Sequence, residues 1–537
     1  MNNSTQDGGS RGPQANRRAA EGAGAFRPLN PDHQNVPALA AGTTYGRIGW
    51  VGSISRVILA ASIVVIASSA SLLHAQSGAP QQQKPWGRIP IPKLHDFKPQ
   101  QPKRIELKNG IVIFLQEDHE LPFIYGSVLI PGGSRDVQPA KAGLTDIYSL
   151  AWRTSGSSKM GGDAMDDLLE AKAAHIETAA DEDSSALSWD SLTGDADQVY
   201  ALAMDLLFHP TFKPDKLNLA QQQEAAGTVR RNDDEGQIAE RESAKLVYGV
   251  NGPYTLQPEL ATIGAITLND LQAWHDRTIR GMLIIGVSGD FDPAAMEAKL
   301  RATFESLPSA KPTLARHDVF PVPSHTVSFI NKTDVNQSNI QIVGPGIDRH
   351  NPDVPAVAVM NEILGGGFAS RLVQEVRTRL GLAYEVGGGL NYDWDHPGGF
   401  DVVALTKSSS TVEATKAALD VIAGLTKRPI TEEELARAKD NILNSFLFTY
   451  DTREKVLTAR EELEFYGYPA DYLENYHKAL EDVTLADVNR VAEKYIHPAQ
   501  MGILVVGNES EIKPSLDELK LGPVHPIDIT IPGAPAQ

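Results

Sequence analysis

The feature that most restricts how this chain can fold is an internal echo. Ile266-Thr267-Leu268-Asn269-Asp270 opens a helical pattern that leads to an apolar strand at Met282. Val483-Thr484-Leu485-Ala486-Asp487 opens another, which leads to Met501-Gly502-Ile503-Leu504-Val505-Val506-Gly507. In each, the threonine can cap a helix N-terminus and the aspartate three residues on can close a capping box. The threonines stand 484 − 267 = 217 residues apart. A period that long means a duplicated domain, not a solenoid unit. Two unrelated helices sharing one cap is the competing reading; the shared order of cap, helix and strand favours duplication. The join falls in the proline-rich residues 308–323.

Each half reads as a mixture of strands and helices. Asn109-Gly110 lies between apolar runs and signals a hairpin across residues 105–115. Residues 123–130, 186–192 and 282–287 read as strands, and residues 140–155, 162–175, 195–208, 217–230 and 237–248 as helices. Thr431 and Glu434 form a capping box before an apolar stripe of Leu435, Ala438, Ile442 and Leu443, which is core packing. Strands and helices that do not alternate strictly favour an α+β fold over a doubly wound parallel sheet. The expectation is two α+β halves, each a mostly antiparallel sheet with helices packed on one face.

Composition narrows the chemistry. The 537 residues include no cysteine, which excludes disulfides and thiolate metal sites. The net charge of −19 argues against a nucleic-acid partner, which needs clustered Lys and Arg. Residues 57–73 carry no charge, follow Arg47 and Arg56, and lead to Leu73-His74-Ala75. That is a signal-peptide pattern with cleavage expected near Ala75. The stretch is shorter than the ~20 apolar residues of a full span, so retention as an inner-membrane signal anchor is the weaker alternative. The expected organisation is a leader over 1–75, a Pro/Gln-rich linker over 76–103, halves over 104–310 and 320–512, and a tail over 513–537. Gly365-Gly366-Gly367 lacks the following Lys-Ser or Lys-Thr of a phosphate loop and reads as a flexible turn.

Pro131-Gly132-Gly133-Ser134 and Gly143-Leu144-Thr145 resemble the run before the metal motif of pitrilysin/insulinase-type (inverzincin) zinc peptidases. In that family H-x-x-E-H supplies two zinc-binding histidines and a water-activating glutamate. Here the ligand positions hold Asp146 and Leu150 and the base position holds Ser149. Leucine has no lone pair to donate, and serine is a poor base at neutral pH. The family's third ligand is a glutamate; alignment of Gly227-Thr228-Val229-Arg230-Arg231 puts Thr228 there, while Glu224 reads as a solvated helix residue. A metal relocated to His175, Glu177 or the acidic run Asp181-Glu182-Asp183 finds little support, because such a run in a loop is usually solvated.

The second half resembles the family more closely. Ser370-Arg371-Leu372 followed by Val376-Arg377 and Gly381-Leu382-Ala383-Tyr384 matches its S-R-L-x-x-x-V-R-x-x-x-G-L-A-Y segment. There the arginine and tyrosine face the metal site from the opposite half and contact the substrate backbone. The resemblance implies that Arg377 and Tyr384 bind peptide; the bland alternative pairs Arg377 with Glu375 or Glu385 and leaves Tyr384 to pack. It also implies a clamshell of two homologous halves. The expected function is a non-catalytic, substrate-binding subunit of a heterodimeric zinc metallopeptidase in the periplasm. This chain would bind no metal and be inactive alone, while a homologous partner supplies H-x-x-E-H and zinc. An inert scaffold subunit of a larger complex and a self-sufficient metallopeptidase with an unorthodox site are the alternatives.

Overall fold

Two six-stranded sheets share one strand order. A computed structural model describes residues 97–250, 252–308 and 326–534, all within one unit, Pro37–Gln537. The leader, most of the linker and most of the join lie outside the described residues. The first sheet contains β1 (Lys103–Glu106), β2 (Val112–Glu117), β3 (Phe123–Pro131), β4 (His175–Ala180), β5 (Ser184–Leu192) and β6 (Ile284–Gly289), in the order β1-β2-β6-β3-β5-β4. The second half has β7 (Val327–Asn331), β8 (Gln337–Pro345), β9 (Ile347–Asp348), β10 (Ala383–Leu390), β11 (Tyr392–Asp393), β12 (Gly399–Lys407), β13 (Gly502–Gly507) and β14 (Val524–Pro526). Its sheet runs β10-β12-β8-β13-β7-β14, while β9 and β11 pair separately. Read from the far edge, β7, β13, β8, β12 and β10 take the places of β2, β6, β3, β5 and β4. The starts of β6 and β13 differ by 502 − 284 = 218 residues, within one residue of the threonine spacing. Neighbours are antiparallel except β2–β6, β7–β13, β7–β14 and the separate pair β9–β11.

Local chemistry sets most boundaries. The Asn109-Gly110 turn joins antiparallel β1 and β2, with Gly110 at φ 89°. The first-half helices are α1 (Leu144–Ser155), α2 (Gly162–Lys172), α3 (Ala196–Phe208), α4 (Pro214–Arg230), α5 (Glu235–Tyr248), α6 (Leu260–Gly264), α7 (Leu268–Thr278) and α8 (Pro293–Phe304). Those of the second half are α9 (Val354–Asn361), α10 (Thr411–Lys427), α11 (Glu432–Thr449), α12 (Arg453–Phe465), α13 (Tyr472–Asp482) and α14 (Leu485–Tyr495). Thr267 and Thr484 both close the expected capping boxes, on α7 and α14. Two helices are shorter than their patterns suggest. Gly143, left-handed at φ 92°, delays α1 to Leu144, and Ala173 at φ 48° ends α2 so that His175 opens β4. Residues beyond 513 fold back, with β14 lying beside β7.

Side-chain alternation explains how the halves meet. In β2 and β6, Ile113, Leu115, Ile285 and Val287 point into the core made with the half's own helices. Val112, Phe114 and Ile284 point the other way. That second face is not bare: α12, from the other half, lays Leu457 and Phe465 on it. The first half returns the favour, since α5 lays Ile238 and Ala239 on Ile330, Leu504 and Val506 of the second sheet. The two helices begin 453 − 235 = 218 residues apart, so the exchange is itself part of the repeat. Each large apolar side chain so buried stabilises by about 1.5–3 kcal/mol.

Polar contacts fix the register of this exchange. Ser127 Oγ on β3 donates to Glu461 on α12 at 2.6 Å. Gly286 makes room for that carboxyl, since a Cβ there would sit 2.3 Å from Glu461 Oε1. Burial pushes the Glu461 carboxyl up to about 8. At the same junction the guanidinium of Arg135, which is 3% exposed, lies 2.8 Å from Asp183 and 2.9 Å from Asp395 of the second half. Tyr466, at the end of α12, donates to Asp183. Gly286→Ala is expected to cost at least about 2 kcal/mol through overpacking. In a Glu461→Ala background the same change is expected to cost less than half as much, because the clash is gone. Urea denaturation of the four proteins checks this; additive losses would show that α12 does not press on Gly286.

Candidate functional site

The degenerate motif lies on α1, whose packing face is intact. Ile147, Tyr148, Ala151 and Trp152 are buried in the first-half core. Tyr148 Oη meets His275 Nδ1 at 2.9 Å, and burial lowers the His275 imidazole to about 4, so it is neutral. The three motif residues occupy the other side. Ser149 Oγ donates to the Asp146 carbonyl at 3.0 Å, and Leu150 packs on the edge of the core. The Asp146 side chain is open to solvent, yet enough protein surrounds it that desolvation pushes the carboxyl up.

Opposite α1 runs α4. Thr228 is buried there, and its hydroxyl has no hydrogen-bond partner among the described residues. One turn earlier, Glu224 is half-buried rather than solvated as its sequence context suggested. Its Cγ lies 3.8 Å from where a Gly143 Cβ would be, which places it against the start of α1. Burial and then the charge of Asp146 push its carboxyl up to about 7. The carboxylate that answers Asp146 is therefore Glu224, not a side chain at Thr228.

In the second half, Arg377 and Tyr384 sit at two local irregularities. Residues Val373–Arg379 form a widened helical turn. Leu372 and Val376 anchor it in the core, while Arg377 is exposed. Arg371 locks the start of the segment onto α11 through Glu434, at 2.7 and 2.9 Å. Gly381, at φ 65°, turns the chain into β10. There the pairing with β12 skips from Ala383↔Thr406 to Glu385↔Leu405. Tyr384 is the residue left over, and a bulge of this kind turns a side chain outward. Tyr384 is 77% exposed, and the guanidinium carbon of Arg377 lies 5.6 Å from its ring centroid. Glu375 is engaged by Arg379 at 2.6 Å, and Arg377 forms no ion pair among the described residues.

A sequence profile described as the peptidase M16 inactive domain matches residues 265–442, which include this segment. The chain is 21% identical over 410 residues to a Helicobacter pylori protein named "Non-peptidase homolog YmxG", covering 75% of this chain and 93% of that one. It is 20% identical over 396 residues to the "Uncharacterized zinc protease YmxG" of Bacillus subtilis, covering 73% of this chain and 95% of that protein. A crystal structure of a peptidase M16 inactive domain from Pseudomonas fluorescens superposes with a TM-score of 0.68 at 25% identity, over 76% of this chain and 98% of that one. Residues 265–442 thus match an M16 domain, and the chain is similar in sequence and in fold to proteins of the pitrilysin/insulinase-type M16 family.

The M16 metal shell can be tested against the residues present. A hydrolytic zinc site uses three protein ligands and leaves a position for water. Asp146 and Glu224 are the two carboxylates at this position, Leu150 has no donor, and Ser149 spends its proton on helix backbone. Among the described residues no cluster of three His, Asp or Glu side chains could hold a metal ion. The donor set does not fit a hydrolytic zinc. Nor do the other candidates assemble one. His175 pairs with Asp190 at 2.9 Å across β4 and β5. In Asp181-Glu182-Asp183, Asp181 and Glu182 are exposed as expected, while Asp183 is half-buried at the junction between the halves, where desolvation pushes its carboxyl up to about 6.

Two features of this surface left no trace in the residue pattern. The bulge at Tyr384 and the widened turn at Arg377 each add a residue to a regular ladder, which periodicity does not reveal. The glycines 365–367 are likewise not a flexible turn. Glu362–Gly366 is a widened helical turn, and a Cβ on Gly365 would sit 2.5 Å from the Gly388 carbonyl oxygen.

The Glu224 carboxyl predicts a pH dependence. Its folded value of about 7 lies above the ordinary 4.5, so the folded chain holds a proton that the unfolded chain releases. Its contribution to stability is therefore fullest below pH 4.5 and is lost as pH rises toward 7. Glu224→Gln is expected to flatten that part of the profile. Urea midpoints across the window read it; identical slopes in both proteins would show that Glu224 is an ordinary carboxyl.

Proposed function

We propose that this chain is the non-catalytic, substrate-binding subunit of a heterodimeric zinc metallopeptidase. A homologous partner supplies H-x-x-E-H and zinc, and this chain presents Arg377 and Tyr384 to the peptide backbone. The observation that carries the reading is the free guanidinium of Arg377 beside the outward-turned phenol of Tyr384. Glu375 pairs with Arg379 four residues on, and Arg377, on a different face of the turn, forms no ion pair among the described residues. A planar fork of donors without an acid partner suits the carbonyl oxygen of a bound peptide or the negative charge that develops on it. The name of the Helicobacter pylori relative, a non-peptidase homolog, agrees with a chain that has the fold without the metal shell. The profile match to an inactive domain supports the same partition of labour. The apolar stretch 57–73 supports export to the periplasm, where the pair would act on unfolded peptide.

The test mixes this chain with a zinc-motif homologue encoded in the same genome and follows cleavage of an unstructured peptide. Neither chain alone is expected to cleave appreciably. In the mixed pair, Arg377→Ala is expected to lower kcat/KM at least about tenfold, the loss of one charge-stabilising donor set. Tyr384→Phe is expected to lower it less. Cleavage by the pair that is indifferent to Arg377→Ala removes the role given to this residue. Chelator-sensitive cleavage by this chain alone removes the reading altogether.

A further inference from the structure

Arg377 has a second aromatic neighbour. Its guanidinium carbon lies 5.7 Å from the ring centroid of Phe368, close to its distance from Tyr384. Phe368 is 79% exposed, the most exposed large apolar side chain among the described residues. The backbone around it is tied down. Gln374 Nε2 donates to the Phe368 carbonyl at 2.6 Å, and the Ser370 N–H donates to the Gly367 carbonyl at 2.9 Å. The ring is therefore presented by a held loop, next to an arginine with no carboxylate partner among the described residues.

We propose that Phe368 is a positioning residue that, together with Tyr384, frames Arg377 between two ring faces and keeps its donors free for a peptide backbone. The inference rests on the substrate role proposed for Arg377. The physical argument is one of competition. A guanidinium on a long side chain is drawn to carboxylates, and Glu375, two residues away in sequence, is already engaged by Arg379. Ring faces attract the cation through their quadrupole without occupying its N–H groups. A carboxylate would consume those donors two at a time. The aromatic frame therefore orders the side chain and leaves its edges for the ligand. The class of ligand that follows is neutral peptide backbone, read by carbonyl acceptors, rather than an acidic side chain selected by charge.

Two measurements on the full chain test this. The first is nuclear magnetic resonance of arginine-labelled protein, with the Arg377 signal assigned by its loss in Arg377→Lys. Ring-current displacement of the Arg377 side-chain signals is expected, reduced in Phe368→Leu and kept in Phe368→Trp. Signals that do not move in Phe368→Leu overturn the proposal. The second is fluorescence anisotropy with an unstructured peptide of about twenty residues, acetylated and amidated so that it has no terminal charge. Phe368→Leu and Phe368→Ala are both expected to weaken binding about two- to fivefold, and Phe368→Trp to preserve it. In an Arg377→Ala background the same changes are expected to have no further effect. Full binding by Phe368→Leu, or an undiminished loss in the Arg377→Ala background, means a plain apolar contact and overturns the proposal. Arg377→Ala that leaves peptide binding unchanged while the ring displacement is present refutes the substrate role and leaves the Phe368 frame standing.

Discussion

The exchange of α5 and α12 is the constraint from which the rest of the structure follows. Strand alternation gives each sheet two apolar faces, and a half has helices of its own for only one of them. On the first sheet Val112, Phe114 and Ile284 would meet water without Leu457 and Phe465; on the second, Ile330, Leu504 and Val506 would do so without Ile238 and Ala239. The halves are thus bound by reciprocal burial, and their near-equal spacing in sequence makes the burial symmetrical. Arg135, held between Asp183 and Asp395, adds little net energy by the general balance of desolvation against attraction. Its value lies in register: a slip of the halves would leave a charge buried and unpaired.

Within that frame, the two candidate sites are built differently. The α1 position is a regular helix whose reactive side has been rewritten. Leu150 lies at the core edge, Ser149 bonds to the backbone, and Asp146 lies near Glu224 of α4. The second-half position is irregular in its backbone, with a widened turn under Arg377 and a bulge at Tyr384. Irregularities of this kind cost ladder hydrogen bonds and persist where they aim a side chain. Here they bring two side chains seven positions apart into cation–π distance on an exposed surface.

Much of the fold was legible because it is local. The capping boxes at Thr267, Thr431 and Thr484 bond within a single turn, and the Asn109-Gly110 hairpin needs only the glycine's left-handed backbone. The duplication was legible because caps recur at a fixed distance. What stayed hidden depends on partners far away in sequence. Leu457 looks like any core leucine until Ile284 is beside it, and Asp183 looks solvated with its acidic neighbours until Arg135 and Tyr466 are beside it. Glu224 was misjudged for the same reason: its environment is set by α1, more than seventy residues earlier. The Arg377 and Tyr384 pair was found through resemblance, whereas its geometry depends on two inserted residues that no period announces.

The division of labour on α1 has an evolutionary consequence. Tyr148 and Trp152 hold the helix in place from one side, and Asp146 and Ser149 occupy the other. Stability and reactivity are therefore written on opposite faces of the same twelve-residue element. A lineage can surrender its chemistry here one codon at a time, and each intermediate sequence remains a folded protein.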